Sequence, residues 1–257
     1  MTSTPAFTTL GGGPTVLMLH GIGGGHLAFA PQVETLATAG YRAVAWDMPG
    51  YGASPGSPTL DAMVSAVQEL VAALDARRTV LLGHSMGGMV AQELLARAPG
   101  CVQGLILACT SAAFGKNDGD WQARFIAERL APLDAGLGMP GMARRLVPSM
   151  VSTSAQPEAS ELAIEVMSGV PEASYRIALR AIAAFDRRAA LPLLDMPTLC
   201  LAGEHDRTAP PDVMQRMAQR IPGGEYQCLA DAGHIANIEQ PAAFHAAVLS
   251  FLQRHYG

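Results

Sequence analysis

The sequence predicts a mainly parallel α/β sheet covered by helices on both faces and interrupted by one helical insert. Three observations point there. Short apolar runs alternate with longer amphipathic segments along most of the chain. The runs are near-continuous in Val, Leu, Ile and Ala rather than strictly alternating, as strands buried on both faces are. The alternation breaks once, between Thr110 and about Leu193, where no strand pattern occurs.

In chain order, strands are expected at 16–19, 43–46, 79–82 and 104–108, with helices at 29–39, 59–74 and 86–98 between and after them. The stretch before Val16 has room for at most one further strand. Residues 111–193 contain helical patterns at 121–130, 161–167 and 175–185, punctuated by Pro132, Pro140, Pro148, Pro157 and Pro171. Proline ends or kinks helices, so short helices are expected there. This segment is a candidate lid inserted between two strands. The alternation resumes with strands at 198–201 and 226–229 and helices at 211–220 and 240–253. Strand–helix alternation of this kind defines the α/β class. The division is a core of residues 1–110 and 194–257 with a cap at 111–193.

Composition excludes several functions. Seventeen basic against 22 acidic residues, a net charge of −5 and no basic cluster longer than two argue against nucleic-acid binding. No apolar run approaches the roughly 18 residues that a membrane-spanning helix needs. Met1-Thr2-Ser3-Thr4-Pro5 has neither the basic start nor the apolar stretch of a signal peptide. Cys101, Cys109, Cys200 and Cys228 lie far apart without a CxxC spacing. Buried, reduced thiols in a cytoplasmic protein are expected, with no metal, no membrane and no disulfide. Oligomeric state is not legible.

Two GxSxG strings occur, Gly52-Ala53-Ser54-Pro55-Gly56 and Gly83-His84-Ser85-Met86-Gly87. The motif works on a sharp strand-to-helix turn that exposes the serine and aims backbone N–H groups at the substrate. Pro55 has no N–H to offer, and no strand runs into Ser54, so the first string is a loop. The second follows strand 79–82 and precedes helix 86–98. Ser85 is therefore the expected nucleophile.

Serine needs a base, and the base needs a carboxylate to orient it. Among seven histidines, His234 lies in the loop between the last strand and the last helix, at the carboxyl edge of the sheet where ligands of open α/β folds bind. For the acid, Glu204 and Asp206 both follow strand 198–201. Asp206 is favoured because Ala209-Pro210-Pro211 starts the next helix, with Glu204 as the fallback. Asp231 is expected to shape the histidine loop. The order Ser85, Asp206, His234 is the nucleophile–acid–base order of one hydrolase class. The two N–H donors of an oxyanion hole are expected from Met86 and from the glycine-rich loop after strand 16–19, most simply Ile22.

With these residues placed, the chain resembles the α/β-hydrolase fold over nearly its whole length. The resemblance rests on His20-Gly21, Asp47-Met48-Pro49-Gly50-Tyr51-Gly52-Ala53-Ser54, Gly83-His84-Ser85-Met86-Gly87-Gly88, Gly203…Asp206…Pro210 and Gly233-His234. A narrower similarity to 3-oxoadipate enol-lactonases rests on Leu107-Ala108-Cys109-Thr110-Ser111-Ala112, Trp121-Gln122-Ala123-Arg124, Ala202-Gly203-Glu204-His205-Asp206 and Asn237-Ile238-Glu239-Gln240-Pro241. His20-Gly21-Ile22 departs from it, since those lactonases often have Asn-Ser-Leu there.

The resemblance implies a twisted, mostly parallel sheet of about seven to eight strands with a helical cap after the sixth strand. It also implies cofactor-free hydrolysis of a small ester or lactone through an acyl-enzyme. Carbon–carbon bond hydrolysis of ring-cleavage products by the same triad is the alternative, and a ligand-binding receptor with slow hydrolysis is the alternative of another class. An enol-lactone carries a carboxylate, and the insert offers Arg124, Arg129, Arg144, Arg145, Arg176 and Arg180 to pair with it. Trp121 and Arg124 are the expected substrate-binding pair.

Overall fold

The computed structural model of the protein describes residues 4–74, 78–115 and 120–256. Met1, Thr2 and Ser3, on which the leader reading rests, and residues 116–119 of the expected cap lie outside them.

Seven strands are described: β1 (Phe7–Leu10), β2 (Thr15–Leu19), β3 (Arg42–Trp46), β4 (Thr79–His84), β5 (Gly104–Ala108), β6 (Thr198–Gly203) and β7 (Glu225–Leu229). They form one sheet in the order β1-β3-β2-β4-β5-β6-β7, in which only β1 runs antiparallel to its neighbour. The chain steps from β2 to β3 on one side and then crosses to β4 on the other. Loops after β2 and β4 therefore diverge at the carboxyl edge and open a crevice.

Successive residues of the central strands supply opposite faces of the sheet, as the period of two requires. Val16, Met18, Ala43 and Ala45 pack toward α1 (Ala30–Thr38) and α10 (Pro241–Tyr256), through Leu36, Phe244 and Phe251. Leu17, Leu19, Val44 and Trp46 pack toward α2 (Leu60–Ala73), α3 (Met86–Arg97) and α8 (Pro211–Gln219), through Val67, Leu94 and Met214. Thr59 caps α2 by accepting the Ala62 N–H, which stops the preceding loop cleanly.

Between β5 and β6 lie α4 (Trp121–Asp134), α5 (Gly138–Met150), α6 (Pro157–Ser168) and α7 (Glu172–Ile182). The segment leaves and returns through a narrow neck. Ala113 bridges Asp186, the Phe114 N–H donates to Phe185 O at 2.9 Å, and the Arg187 N–H donates to Ala112 O at 2.7 Å. The segment follows the fifth described strand rather than a sixth, because only β1 precedes β2.

Three local expectations are corrected. Of the five prolines, Pro157 and Pro171 mark helix starts and Pro140 lies in the first turn of α5, whereas Pro132 and Pro148 lie inside α4 and α5. Strand 226–229 is not buried, since β7 is the sheet's edge and most of it is partly or fully exposed. For the same reason Cys228 is exposed, although Cys109 and Cys200 are buried. Among the described residues no helix is long and apolar enough to cross a membrane.

Candidate active site

β4 runs directly into Ser85, which adopts φ 52° and ψ −119° before α3 begins at Met86. A non-glycine residue held there costs of order 1–3 kcal/mol, so its surroundings must impose it. They do: the Ser85 N–H donates to Ala108 O (3.0 Å), and its carbonyl accepts from the Gly88 N–H (3.0 Å) and Thr110 Oγ1 (2.6 Å). The flanking glycines are steric necessities. A Cβ at Gly87 would lie 2.0 Å from Leu19 O, and one at Gly83 would lie 2.5 Å from Gly88 Cα. Only glycine lets the start of α3 close onto the ends of β4 and β2. Ser54, in the other string, is buried in the loop after β3, where its hydroxyl donates to Asp47 O (2.6 Å) and accepts from the Ala6 N–H (2.8 Å).

His234 Nε2 lies 2.9 Å from Ser85 Oγ, and its Nδ1 lies 2.9 Å from Asp206 Oδ2. Both His234 and Asp206 are buried. With Nδ1–H donating to the carboxylate, Nε2 presents its lone pair to the serine hydroxyl. The other Asp206 oxygen accepts the N–H groups of Thr208 (2.7 Å) and Ala209 (2.9 Å). Burial pushes the Asp206 carboxyl up, but the charge and hydrogen bond of His234 together with those two N–H donors outweigh it. The net shift is below the ordinary carboxylate value.

The histidine is held from its backbone as well. Its N–H donates to Met150 O (2.7 Å), and its carbonyl accepts from His84 Nε2 (2.7 Å). Burial pulls His84 down to about 4, so it stays a neutral donor. His20 is likewise buried, pulled down to about 4, and accepts the Met48 N–H at Nε2 (3.1 Å). His26 binds the Asp47 carboxylate through both its N–H and Nδ1. Glu204 is exposed, and its carboxylate accepts the Asp231 N–H at 3.1 Å, away from His234. The structure brings Ser85, His234 and Asp206 together and leaves Glu204 apart, while His84 braces the His234 carbonyl.

The loop after β2 lies against the serine, since a Cβ on Gly21 would meet Ser85 Cβ at 3.1 Å. The Gly21 carbonyl accepts from His20 Nδ1 (2.8 Å) and the Gly24 N–H (3.0 Å), and Tyr51 Oη donates to Ile22 O (2.9 Å). These bonds fix both peptide planes around Ile22. A trans peptide directs its N–H opposite its carbonyl. Neither the Ile22 nor the Met86 N–H donates to a protein acceptor among the described residues. The latter is one of the unfilled donors of the first helical turn.

Ser85, His234, Ile22 and Met86 line a cavity of about 510 Å³ between the sheet edge and α4–α7. Its walls are mostly apolar and aromatic, and among the described residues no Asp or Glu lines it. Trp121 stacks on Phe125 (5.1 Å, 16°), and Phe114 meets Trp121 edge-on at 5.6 Å. Arg124 does not line the cavity and is exposed. The correction is one of helical phase. Trp121, Phe125 and Arg129 recur every four residues and share one face, whereas Arg124 stands about 100° around the helix from the middle of that face. Arg129 does line the cavity, lies 5.2 Å from the Phe125 ring centroid, and stands against the Tyr175 hydroxyl.

Known proteins share this architecture. Residues 14–241 match the profile of the alpha/beta hydrolase fold family. A proposed carbamate hydrolase, RutD, of Variovorax paradoxus is 32% identical over 252 residues, covering 94% of this chain and 92% of its own. A pimeloyl-acyl-carrier-protein methyl ester esterase of Chromobacterium violaceum is 32% identical over 249 residues, covering 95% and 96%. Among solved structures, an esterase from Thermogutta terrifontis superposes with TM-score 0.87 at 30% identity over 98% of this chain and 94% of that one. The enol-lactonase from Burkholderia xenovorans superposes with TM-score 0.86 at 27% identity, covering 96% of each chain.

Proposed function

The chain belongs to the alpha/beta hydrolase fold family and is a hydrolase, and on that premise we propose that it cleaves a small ester or lactone through an acyl-enzyme on Ser85. The observation that carries this reading is the unbroken relay from Ser85 Oγ through His234 to Asp206, lying beside two N–H groups that no acceptor among the described residues uses.

The steps follow from the geometry. His234 Nε2 takes the Ser85 proton as Oγ attacks the acyl carbon, and Asp206 stabilises the imidazolium that forms. The carbonyl oxygen becomes an oxyanion between the Ile22 and Met86 N–H groups, each worth about 2.7–4 kcal/mol in the transition state. Collapse expels the alkoxide, which takes its proton from His234. Water, deprotonated by the same imidazole, then attacks the acyl carbon, and His234 returns that proton to Ser85 Oγ as the C–Oγ bond breaks and the acid leaves. Each proton and charge has a named protein group, so the cycle as written calls on no metal or cofactor.

Residues 111–193 act as the cap. Their apolar wall excludes water from the acyl group and strengthens every electrostatic interaction at the serine. Trp121 forms part of that wall. Arg129, in place of Arg124, is a cavity-lining cation set to meet a carboxylate on the substrate, and Arg207 is a second one on the wall.

The test offers p-nitrophenyl acetate, a carboxylate-bearing enol-lactone and a ring-cleavage dione to the enzyme, with intact-protein mass spectrometry during turnover. Turnover of an ester or lactone with an acyl adduct on Ser85 is expected. Turnover of the dione alone would transfer the reading to carbon–carbon bond hydrolysis. Binding without turnover of any of the three would favour a receptor.

A further inference from the structure

Asn237-Ile238-Glu239-Gln240-Pro241 supplies nothing to the relay, yet Glu239 buries a carboxylate directly behind it. Glu239 ends the short helix α9 (Ala236–Glu239) and is 5% exposed. No cation pairs with it among the described residues. Its partners are three backbone N–H groups: Oε2 accepts from Ser152 (2.7 Å) and Gly233 (2.9 Å), and Oε1 accepts from Ile235 (3.1 Å). Gly233 and Ile235 flank His234 in sequence, while Ser152 belongs to the turn that follows α5. That turn meets the histidine loop a second time through the bond from the His234 N–H to Met150 O. The approach leaves no slack, because a Cβ on Gly233 would lie 2.4 Å from Met150 O. A buried carboxylate without a counter-ion is costly unless hydrogen bonds hold it, and here all its bonds converge on one junction.

We propose that Glu239 is a positioning residue. Its carboxylate clasps the His234 loop to the docked cap and lends the imidazolium a second negative charge. The proposal rests on reading His234 as the base. Burial pushes the Glu239 carboxyl up, and the three N–H donors and His234 hold it back. The titratable groups that face it are His234 and Cys109, whose thiol burial keeps protonated. Asp206 lies beyond His234, and His84 stays neutral against the His234 carbonyl. A conventional description makes the cap a roof over the substrate. Here one corner of that roof is part of the mounting of the base.

The experiment compares Glu239→Gln, Glu239→Asp and His234→Ala with the wild-type enzyme, reading kcat, KM, Tm and the pH dependence of kcat/KM on one ester. Glu239→Gln keeps the size, removes the charge and turns an amide NH₂ toward a donor. Its kcat should fall about 10- to 100-fold, as small misplacements of a catalytic group do. KM should stay within about twofold, and the acid limb should move to lower pH because the imidazolium loses a neighbouring anion. Glu239→Asp keeps the charge but shortens the reach, so kcat should fall while the acid limb stays put. A Glu239→Gln enzyme with unchanged kcat, or one with lowered Tm but an unmoved acid limb, overturns the proposal. Should that variant not fold, wild-type kcat in Glu239→Asp overturns it equally. An active His234→Ala enzyme would instead defeat the reading of the base itself, independently of Glu239.

Discussion

Ser54 and Ser85 each stand between glycines two residues away on either side, and their surroundings alone separate them. Ser85 ends a buried strand, takes a positive φ and is met by His234; Ser54 sits in a loop, and both of its hydrogen bonds go to backbone. The first keeps its hydroxyl poised beside a cavity, and the second spends its hydroxyl tying Ala6 to Asp47. On the proposed mechanism, this short motif carries chemistry only where strand, turn and helix arrive in that order. The same lesson recurs in the acids Glu204 and Asp206 and in the arginines Arg124 and Arg129: residues of one type, two to five positions apart, with different neighbours.

The serine pair should give the widest separation. Ser85→Ala is expected to lose about 10⁶-fold in kcat, since members of such a relay act as a unit. Ser54→Ala should leave kcat within about twofold while lowering stability by about 1–3 kcal/mol, because the Ala6 N–H loses its buried acceptor. Steady-state kinetics beside thermal unfolding decide the matter, and a matched loss of rate in Ser54→Ala would collapse the contrast.

The acid pair comes next. Asp206→Asn should cost about 10⁴-fold in kcat by favouring the wrong imidazole tautomer, and Glu204→Gln less than about twofold because its carboxylate is exposed. A larger loss in Glu204→Gln would exchange the two assignments. The pair should also differ in acid. The folded Asp206 carboxyl lies below the roughly 3.9 of an unfolded chain. Its stabilisation is therefore complete above that pH and fades as pH falls through the folded value. Chemical unfolding midpoints between about pH 5 and 2 should accordingly drop less steeply in Asp206→Asn.

The arginine pair should differ least. Arg129→Ala is expected to raise KM for an anionic lactone about tenfold more than for a neutral ester of equal size. Arg124→Ala should change both KM values by less than about twofold. Equal effects of Arg129→Ala on the two substrates would remove Arg129 from substrate recognition and leave Arg207 as the other described cation on the cavity wall.

These contrasts mark where sequence reasoning reaches. The central strands were legible because burial on both faces writes a continuous apolar run. The turn at Ser85 was legible because close approach of α3 to β2 and β4 permits only glycine at 83 and 87. Asp206 and His234 were legible because they follow strands at the edge where the serine emerges. Legibility faded where tertiary packing decides. β1 is wholly exposed on an edge, so no apolar pattern announces it. α5 carries Pro148 and glycines at 138 and 141, which read locally as breakers, yet Met142, Ala143 and Val147 bury its inner face. Arg129 needed the phase of α4 against the cavity, which spacing from Trp121 could have suggested. Glu239 resembles any helical glutamate until three N–H donors are seen to surround it.

The neck at Ala113 and Asp186 has a consequence for how such an enzyme diversifies. Because the inserted chain departs and returns hydrogen-bonded to itself, the sheet experiences it as a closed loop of fixed span, whatever its length. The entropic cost of lengthening a loop rises by only about 0.6 kcal/mol per doubling. Helices between the two stems can therefore be exchanged, shortened or extended as a cassette, with the sheet and its serine unaware of the substitution. A corner that cannot be traded freely is the segment 150–152, so grafts that keep that segment should retain turnover while their specificity follows the donor.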